Sequence, residues 1–262
     1  MNQDQVKTML LSIEDAPLDF SVIFSGKKSK KVNGLYKVES REIILHNRNF
    51  SPNEENLLIY TAIHEYAHHL HACAKKGTLP LRAHNHEFWA VFHALLEKAE
   101  AKDVYRNIFS DSPELSKLTE EIRKKYLAEN GGLVKALGKA LIKANELCDA
   151  LGARFDDYID RVLCIPRNAA RVAMKMFQYG LNPQLGPDNM KFLAGIRDDE
   201  KRLTAEHALL SGKSPDSVRE LLKKPLDEDP KEQLEKERAR LSRTIESLKK
   251  RLSEVERELE EL

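Results

Sequence analysis

The sequence predicts an α+β protein: a small antiparallel sheet with a pair of histidine-bearing helices, then an all-α domain and a C-terminal coiled coil. Three observations carry this. Short alternating apolar runs cluster before residue 50, helical periodicity with clear start and stop signals dominates from residue 51, and the tail from Pro230 repeats apolar residues at spacings of four and three. At 262 residues and 41% hydrophobic content, the chain is long enough for one or two domains plus an appendage.

Residues 1–17 suggest a short amphipathic helix. DFSVIF (19–24), GLYKV (34–38) and EIILH (42–46) alternate apolar and polar residues, with Asn33-Gly34 and Glu39-Ser40 as turn positions, and read as an antiparallel meander. The lysines of GKKSKK (Lys27, Lys28, Lys30 and Lys31) then mark an exposed, mobile hairpin tip able to add phosphate contacts. SPNEENLLIYTAIHEYAHHLHACAKKG (51–77) predicts a helix with Ser51 as N-cap, Pro52 at the first helical position, Glu54 completing a capping box and Gly77 past the end. A loop with Pro80 leads to a second helix over about 84–102. SPELSKLTEEIRKKYLAENGG (112–132) predicts a third, capped by Ser112 and stopped by Gly131-Gly132.

Residues 133–224 are helical in pattern, with breaks at 164–166, 179–188 and 211–216. In the tail, Leu234, Leu241, Ile245, Leu248, Leu252, Val255, Leu259 and Leu262 form a coiled-coil seam interrupted by Arg238, which can specify register or partner, or lie on a solvated rim. The expected division is therefore 1–105, a connecting helix at 106–130, a helical domain at 131–225, and a coiled coil at 230–262 that makes a homodimer.

Lysine plus arginine (43) nearly cancel aspartate plus glutamate (42), so no global charge points to nucleic acid or membrane. Cys73, Cys148 and Cys164 are widely separated with no CxxC pair, which argues against a disulfide framework or a thiolate zinc site and fits a reducing compartment. The opening MNQDQVKTMLLSIEDAP lacks an extended apolar region and no run reaches transmembrane length, so a cytoplasmic location without membrane contact is expected.

Six of nine histidines fall within residues 62–89. His64-Glu65-Tyr66-Ala67-His68 is HExxH on a predicted helix. Residues four apart share a face, so both imidazoles can reach one Zn2+, while Glu65 lies about 100° further round. Zinc lowers the pKa of a bound water toward about 7, and a carboxylate can take its proton as the oxygen attacks a carbonyl. A catalytic zinc needs a third protein ligand, for which His69, His71, His84, His86, Glu87 and His93 are candidates. His69 points away from the pair, and His71 lies about 10 Å along the axis from His64. Both are expected to be partly exposed or to support the ligands from behind. The loop entering the next helix is better placed to supply the third ligand.

The order of strands ending in EIILH, then HEYAH, then HNHEFW opening the next helix resembles the SprT-like and minigluzincin-like zinc metallopeptidases over roughly residues 15–100. The resemblance implies zincin active-site helices, with His84, four residues before Phe88 in H-x-x-x-F-W, joining His64 and His68 as metal ligands, and Glu65 as general base. His86 lies inside that motif as an alternative, and Glu87 would be the ligand in a strict gluzincin. Phe88 and Trp89 are expected to pack the two helices together, and Tyr66, His46 and His93 to be packed or at the surface. The resemblance further implies hydrolysis of a peptide bond in a protein or peptide substrate, received as an added strand along the sheet edge beside the cleft. A noncatalytic zinc site, or histidines satisfied by hydrogen bonds in a small core, would explain the cluster without chemistry, but neither gives a reason for a glutamate beside the first histidine.

FDDYIDRVLCIPRNAARVAMKMFQYG (155–180) reads as helix, turn, helix. Ala169, Val172, Ala173, Met176 and Phe177 form an apolar stripe, and Arg167, Arg171 and Lys175 line another face. Such a helix can pack on one side and meet DNA phosphates and base edges on the other. With LGKALIKANEL before it and PRNAARVA within it, the segment resembles the helix-turn-helix domains of phage and plasmid regulators. A solvated arginine-rich face would look the same, and the 16 basic against 12 acidic residues over 133–224 do not decide between them. The leading expectation is a zinc-dependent endopeptidase, with DNA-associated proteins as one substrate class. Its rivals are a DNA-binding regulator built on a noncatalytic zinc scaffold and an interaction protein whose coiled coil recruits a partner.

Overall fold

The computed structural model describes residues 1–51, 53–77, 82–223 and 230–260. Pro52, Pro80 and Leu262 lie outside the described residues, as do the side chains of Leu234 and Leu259. The described chain is mostly helical with one small sheet, an α+β arrangement. Met1–Leu222 form one unit and Lys223–Leu262 a second.

In the first unit, Asn2 and Gln5 close a reciprocal capping box that starts α1 (Gln3–Ile13), whose Val6, Met9, Leu10 and Ile13 enter the core. Strands β1 (Ser21–Phe24), β2 (Gly34–Lys37) and β3 (Glu42–Leu45) follow. They are not a meander. The spatial order is β1-β3-β2, with β1 parallel and β2 antiparallel to β3. The most buried strand takes the centre, where Ile43 and Leu45 are fully buried, and the nine residues between β1 and β2 cross over it rather than closing a tight hairpin. The lysine segment is thus a crossover loop, not a hairpin tip. Asn49 ties its backbone, accepting from the Ser29 N–H (2.8 Å) and donating to the Ser29 carbonyl (2.8 Å), while all four lysines are exposed.

Helix α2 (Glu55–Ala74) and α3 (His86–Ala101) pack on each other, and α2 packs on the sheet. The start of α2 differs from expectation. Glu54 does accept from the Ser51 N–H at 2.7 Å, but this closes a turn before the helix, and Glu54 is itself the N-cap. Gly77 adopts φ +83° just past the end, as a C-terminal glycine should, and its N–H reaches the Ala72 carbonyl at 2.8 Å. Asn85 caps α3 by accepting from the Phe88 N–H.

Ser112 caps α4 (Pro113–Glu121), but the Gly131-Gly132 pair does not stop the helix. The chain continues through wider π-type turns (Ile122–Ala128) into α5 (Glu129–Ala150). Gly131 is there for close approach: a Cβ would lie 2.4 Å from the Pro183 carbonyl oxygen. Gly138, two turns on, meets the backbone of Ala173 in the same way. Short α6 (Phe155–Tyr158) and five π-turn residues lead through Cys164, at φ 53°, to α7 (Arg167–Gln178). Besides the expected breaks, the chain also turns at 151–154, where Gly152 has φ +67°, and at 195–198. Helices α8 (Gly186–Ala194), α9 (Asp199–Leu210) and α10 (Pro215–Leu221) complete the unit, and α10 packs against α3. Among the described residues no helix is long and apolar enough to cross a membrane.

The second unit is one helix, α11 (Pro230–Glu260). Leu241, Ile245, Leu248 and Leu252 are exposed along it, as is Arg238.

Candidate metal centre

Helix α2 carries His64 and His68 on one face, as a separation of four residues requires, and the loop before α3 brings His84 to them. The Nε2 atoms converge: His84 lies 3.0 Å from His64 and 3.1 Å from His68. Three ring nitrogens this close cannot all be satisfied by one another, because a single N–H serves only one pair. Their spacing approaches the roughly 3.3 Å expected between nitrogens sharing a tetrahedral zinc at about 2.05 Å. Burial, and then the neighbouring imidazole of His84, lowers the His64 pKa to about 4. Burial, then His64, His84 and His71, lowers that of His68 to about 3. Both rings are therefore neutral near pH 7 and keep a lone pair for a cation. Donor type, number and spacing all fit zinc.

Aromatic rings fix the imidazoles from behind. Phe88 is fully buried and stacks on His68 (centroids 4.2 Å apart), and Trp89 stacks on His84 (5.6 Å). These two residues do pack α3 on α2, as expected, and also orient the histidines.

Glu65 lies one step round the helix, 6% exposed, and burial raises its pKa to about 7. It lies against Gly34, where a Cβ would be 3.0 Å from Glu65 Cγ and 3.0 Å from Thr61 Cγ2. A cleft of about 420 Å³ opens between β2 and α2, lined by Gly34, Tyr36, Thr61, Glu65 and the three histidines among others. Strand β2 is an outer strand of the sheet, so the cleft runs beside a sheet edge. Tyr36 anchors that strand. His69 Nε2–H donates to the Leu18 carbonyl (3.0 Å), which leaves Nδ1 to accept from the Tyr36 hydroxyl (2.9 Å).

The remaining sequence candidates lie elsewhere. His69 and His71 are buried, at 0% and 2% exposure, which rules out the partly exposed alternative of the two expected for them, because α2 is covered by the sheet on one side and α3 on the other. His86 and Glu87 turn away from the cleft: His86 Nε2 meets Glu220 Oε1 at 3.2 Å, and Glu87 Oε2 meets Lys75 Nζ at 2.8 Å. Tyr66 is a core residue whose hydroxyl donates to the Glu14 carbonyl. His46 pairs with Ser25, and His93 with Ser214. Sequence reasoning missed Gly34, Tyr60 and Thr61 as cleft residues. Thr61 could have been found from its position four before Glu65, whereas Gly34 read only as a turn.

On α7 Ala173 and Met176 are buried and Val172 and Phe177 half-buried, as expected, but Ala169 is exposed and Ala170 is buried in its place. Arg167 forms a forked pair with Asp160, its Nε 2.8 Å from Oδ2, and Arg171 contacts Asp156 at 3.0 Å. Lys175 is exposed. Phosphates approaching Arg167 and Arg171 would have to compete with these two carboxylates.

Set against known proteins, the chain matches no family model, no curated protein and no solved structure.

Proposed function

We propose that the protein is a zinc-dependent endopeptidase, with His64, His68 and His84 as the metal ligands and Glu65 as the general base. The observation that carries this reading is the convergence of three imidazole Nε2 atoms beside a buried carboxyl, in the wall of a cleft that runs along a sheet edge. Zinc at this position supplies Lewis acidity, polarising a substrate carbonyl and acidifying water. The chain's own residues do the rest. Glu65, largely shielded from solvent, accepts a proton at its carboxylate and holds it for transfer to the leaving amine nitrogen. Strand β2 offers backbone N–H and C=O groups to an extended peptide, which enters as an added strand. Tyr36, tied through His69 to Leu18, keeps that strand in register with α2. The likeness to SprT-like peptidases in HEYAH and HNHEFW supports the same reading. It is tested by incubating zinc-loaded protein with casein: cleavage is expected, and is lost on chelation or on Glu65→Gln.

A further inference from the structure

Beyond the His64–His68–His84 cleft, one further set of ligand-type atoms converges among the described residues. His86, Glu87 and Glu220 bring one ring nitrogen and two carboxylate oxygens within 4.8 Å of one another. His86 and Glu87 are the first residues of α3, and Glu220 lies near the end of α10, which packs on α3. His86 Nε2 stands 3.2 Å from Glu220 Oε1. A separate observation also points here. His71 is 2% exposed, neither of its ring nitrogens has a hydrogen-bond partner, and its Nε2 is aimed at Glu87 Oε2 from 3.5 Å. A buried imidazole that spends neither nitrogen on a hydrogen bond is costly unless something else engages it.

We infer that His86, Glu87 and Glu220 bind a second divalent transition-metal ion of the zinc class, with the buried His71 imidazole behind Glu87 as the neighbour of its carboxylate. The donor chemistry selects the ion. Two carboxylates balance a double positive charge, and imidazole nitrogen favours zinc and its neighbours over magnesium or calcium. The Lys75 ammonium, 2.8 Å from Glu87 Oε2, occupies the cation's side of that carboxylate; its side chain is 44% exposed and free to swing into water when a stronger cation arrives. The ion clamps the last helix of the first unit onto the beginning of α3, two residues after His84. At the other end of α10, His93 Nδ1 and Ser214 Oγ make a second polar contact at 2.8 Å, so the ion completes a two-point attachment.

The test removes the first site and counts metal at the second. Full-length protein carrying His64→Asn and His84→Asn is equilibrated with zinc, and bound metal is measured after gel filtration. This variant is expected to retain one zinc per chain and to melt at higher temperature with zinc than without it. Adding Glu220→Gln, or in parallel His86→Gln, removes both the bound zinc and the shift in melting temperature. Both added substitutions are at partly exposed positions, and circular dichroism reports whether the fold is kept. No zinc on the doubly substituted protein, or equal zinc with and without Glu220→Gln and His86→Gln, overturns the inference. Because the background lacks two ligands of the cleft, the result is independent of whether the cleft hydrolyses peptides.

Discussion

Burial of the Glu65 carboxyl carries a cost in stability. The side chain lies against Gly34 with 6% exposure, and desolvation raises its pKa from 4.5 to about 7. The folded chain therefore binds this proton more tightly than the unfolded chain. Its contribution to stability is full below pH 4.5 and is lost as pH rises through about 7. Glu65→Gln, which cannot ionise, should therefore stabilise the chelator-treated protein above pH 7, by on the order of 2–3 kcal/mol. The advantage should shrink to nothing by pH 4.5. His64 and His68 titrate in the opposite sense, losing stability as pH falls below 6.5, but that loss is common to both proteins and cancels in their difference. Urea melts of the two proteins at pH 8 and pH 4.5 measure it. At this scale the sequence was informative where spacing is local. The i, i+4 histidines and their glutamate are legible because one helix carries all three, whereas His84 was singled out only through the resemblance of H-x-x-x-F-W. Glu220, the partner of His86, is distant in sequence, and nothing local connects them. Whether His71 is exposed or buried stayed open in the sequence because helical periodicity reports which residues share a face, not how many faces a neighbouring α3 and sheet will cover.

Among elements, β3 and the glycines of α5 show the same division. Three short apolar strands were visible in the sequence, but their order was not, because alternation records which side a residue faces and says nothing about which strand takes the centre. The nine-residue length of the crossover loop was the available clue. Gly131 and Gly132 read as a helix stop because glycine is a weak helix former, yet the helix continues, and Gly131 there allows the close approach of Pro183. At Gly138 a Cβ would approach the Ala173 carbonyl oxygen to 2.0 Å, a backbone atom that cannot rotate aside. Gly138→Ala should cost at least about 1–3 kcal/mol through forced separation of α5 and α7. Gly132 meets nothing within 4 Å, and Gly132→Ala should instead gain up to about 1 kcal/mol from helix propensity. Chemical melts of the two variants read the contrast; equal effects would remove close approach as the reason for Gly138.

For the whole molecule, the first unit joins the sheet, the histidine helices and the later helices, with α10 folded back on α3. The second unit, α11, exposes Leu241, Ile245, Leu248 and Leu252 along a helix of 31 residues. Such a seam is stable in water when another helix covers it, and the homodimer expected from the sequence would supply that helix from a second copy of the chain. Sedimentation equilibrium should therefore give a dimer, and Ile245→Lys with Leu248→Lys a monomer; a monomeric parent protein would contradict the dimer. Peptidase activity is tested by digestion of casein by zinc-loaded parent protein and by Glu65→Gln side by side, with bound zinc quantified in each. Cleavage by the parent alone, at equal zinc content in the two proteins, is the expected result, because the proposal assigns the reaction to Glu65 and the metal to the histidines. Cleavage that survives Glu65→Gln, or none by a parent protein shown to carry zinc, would contradict it.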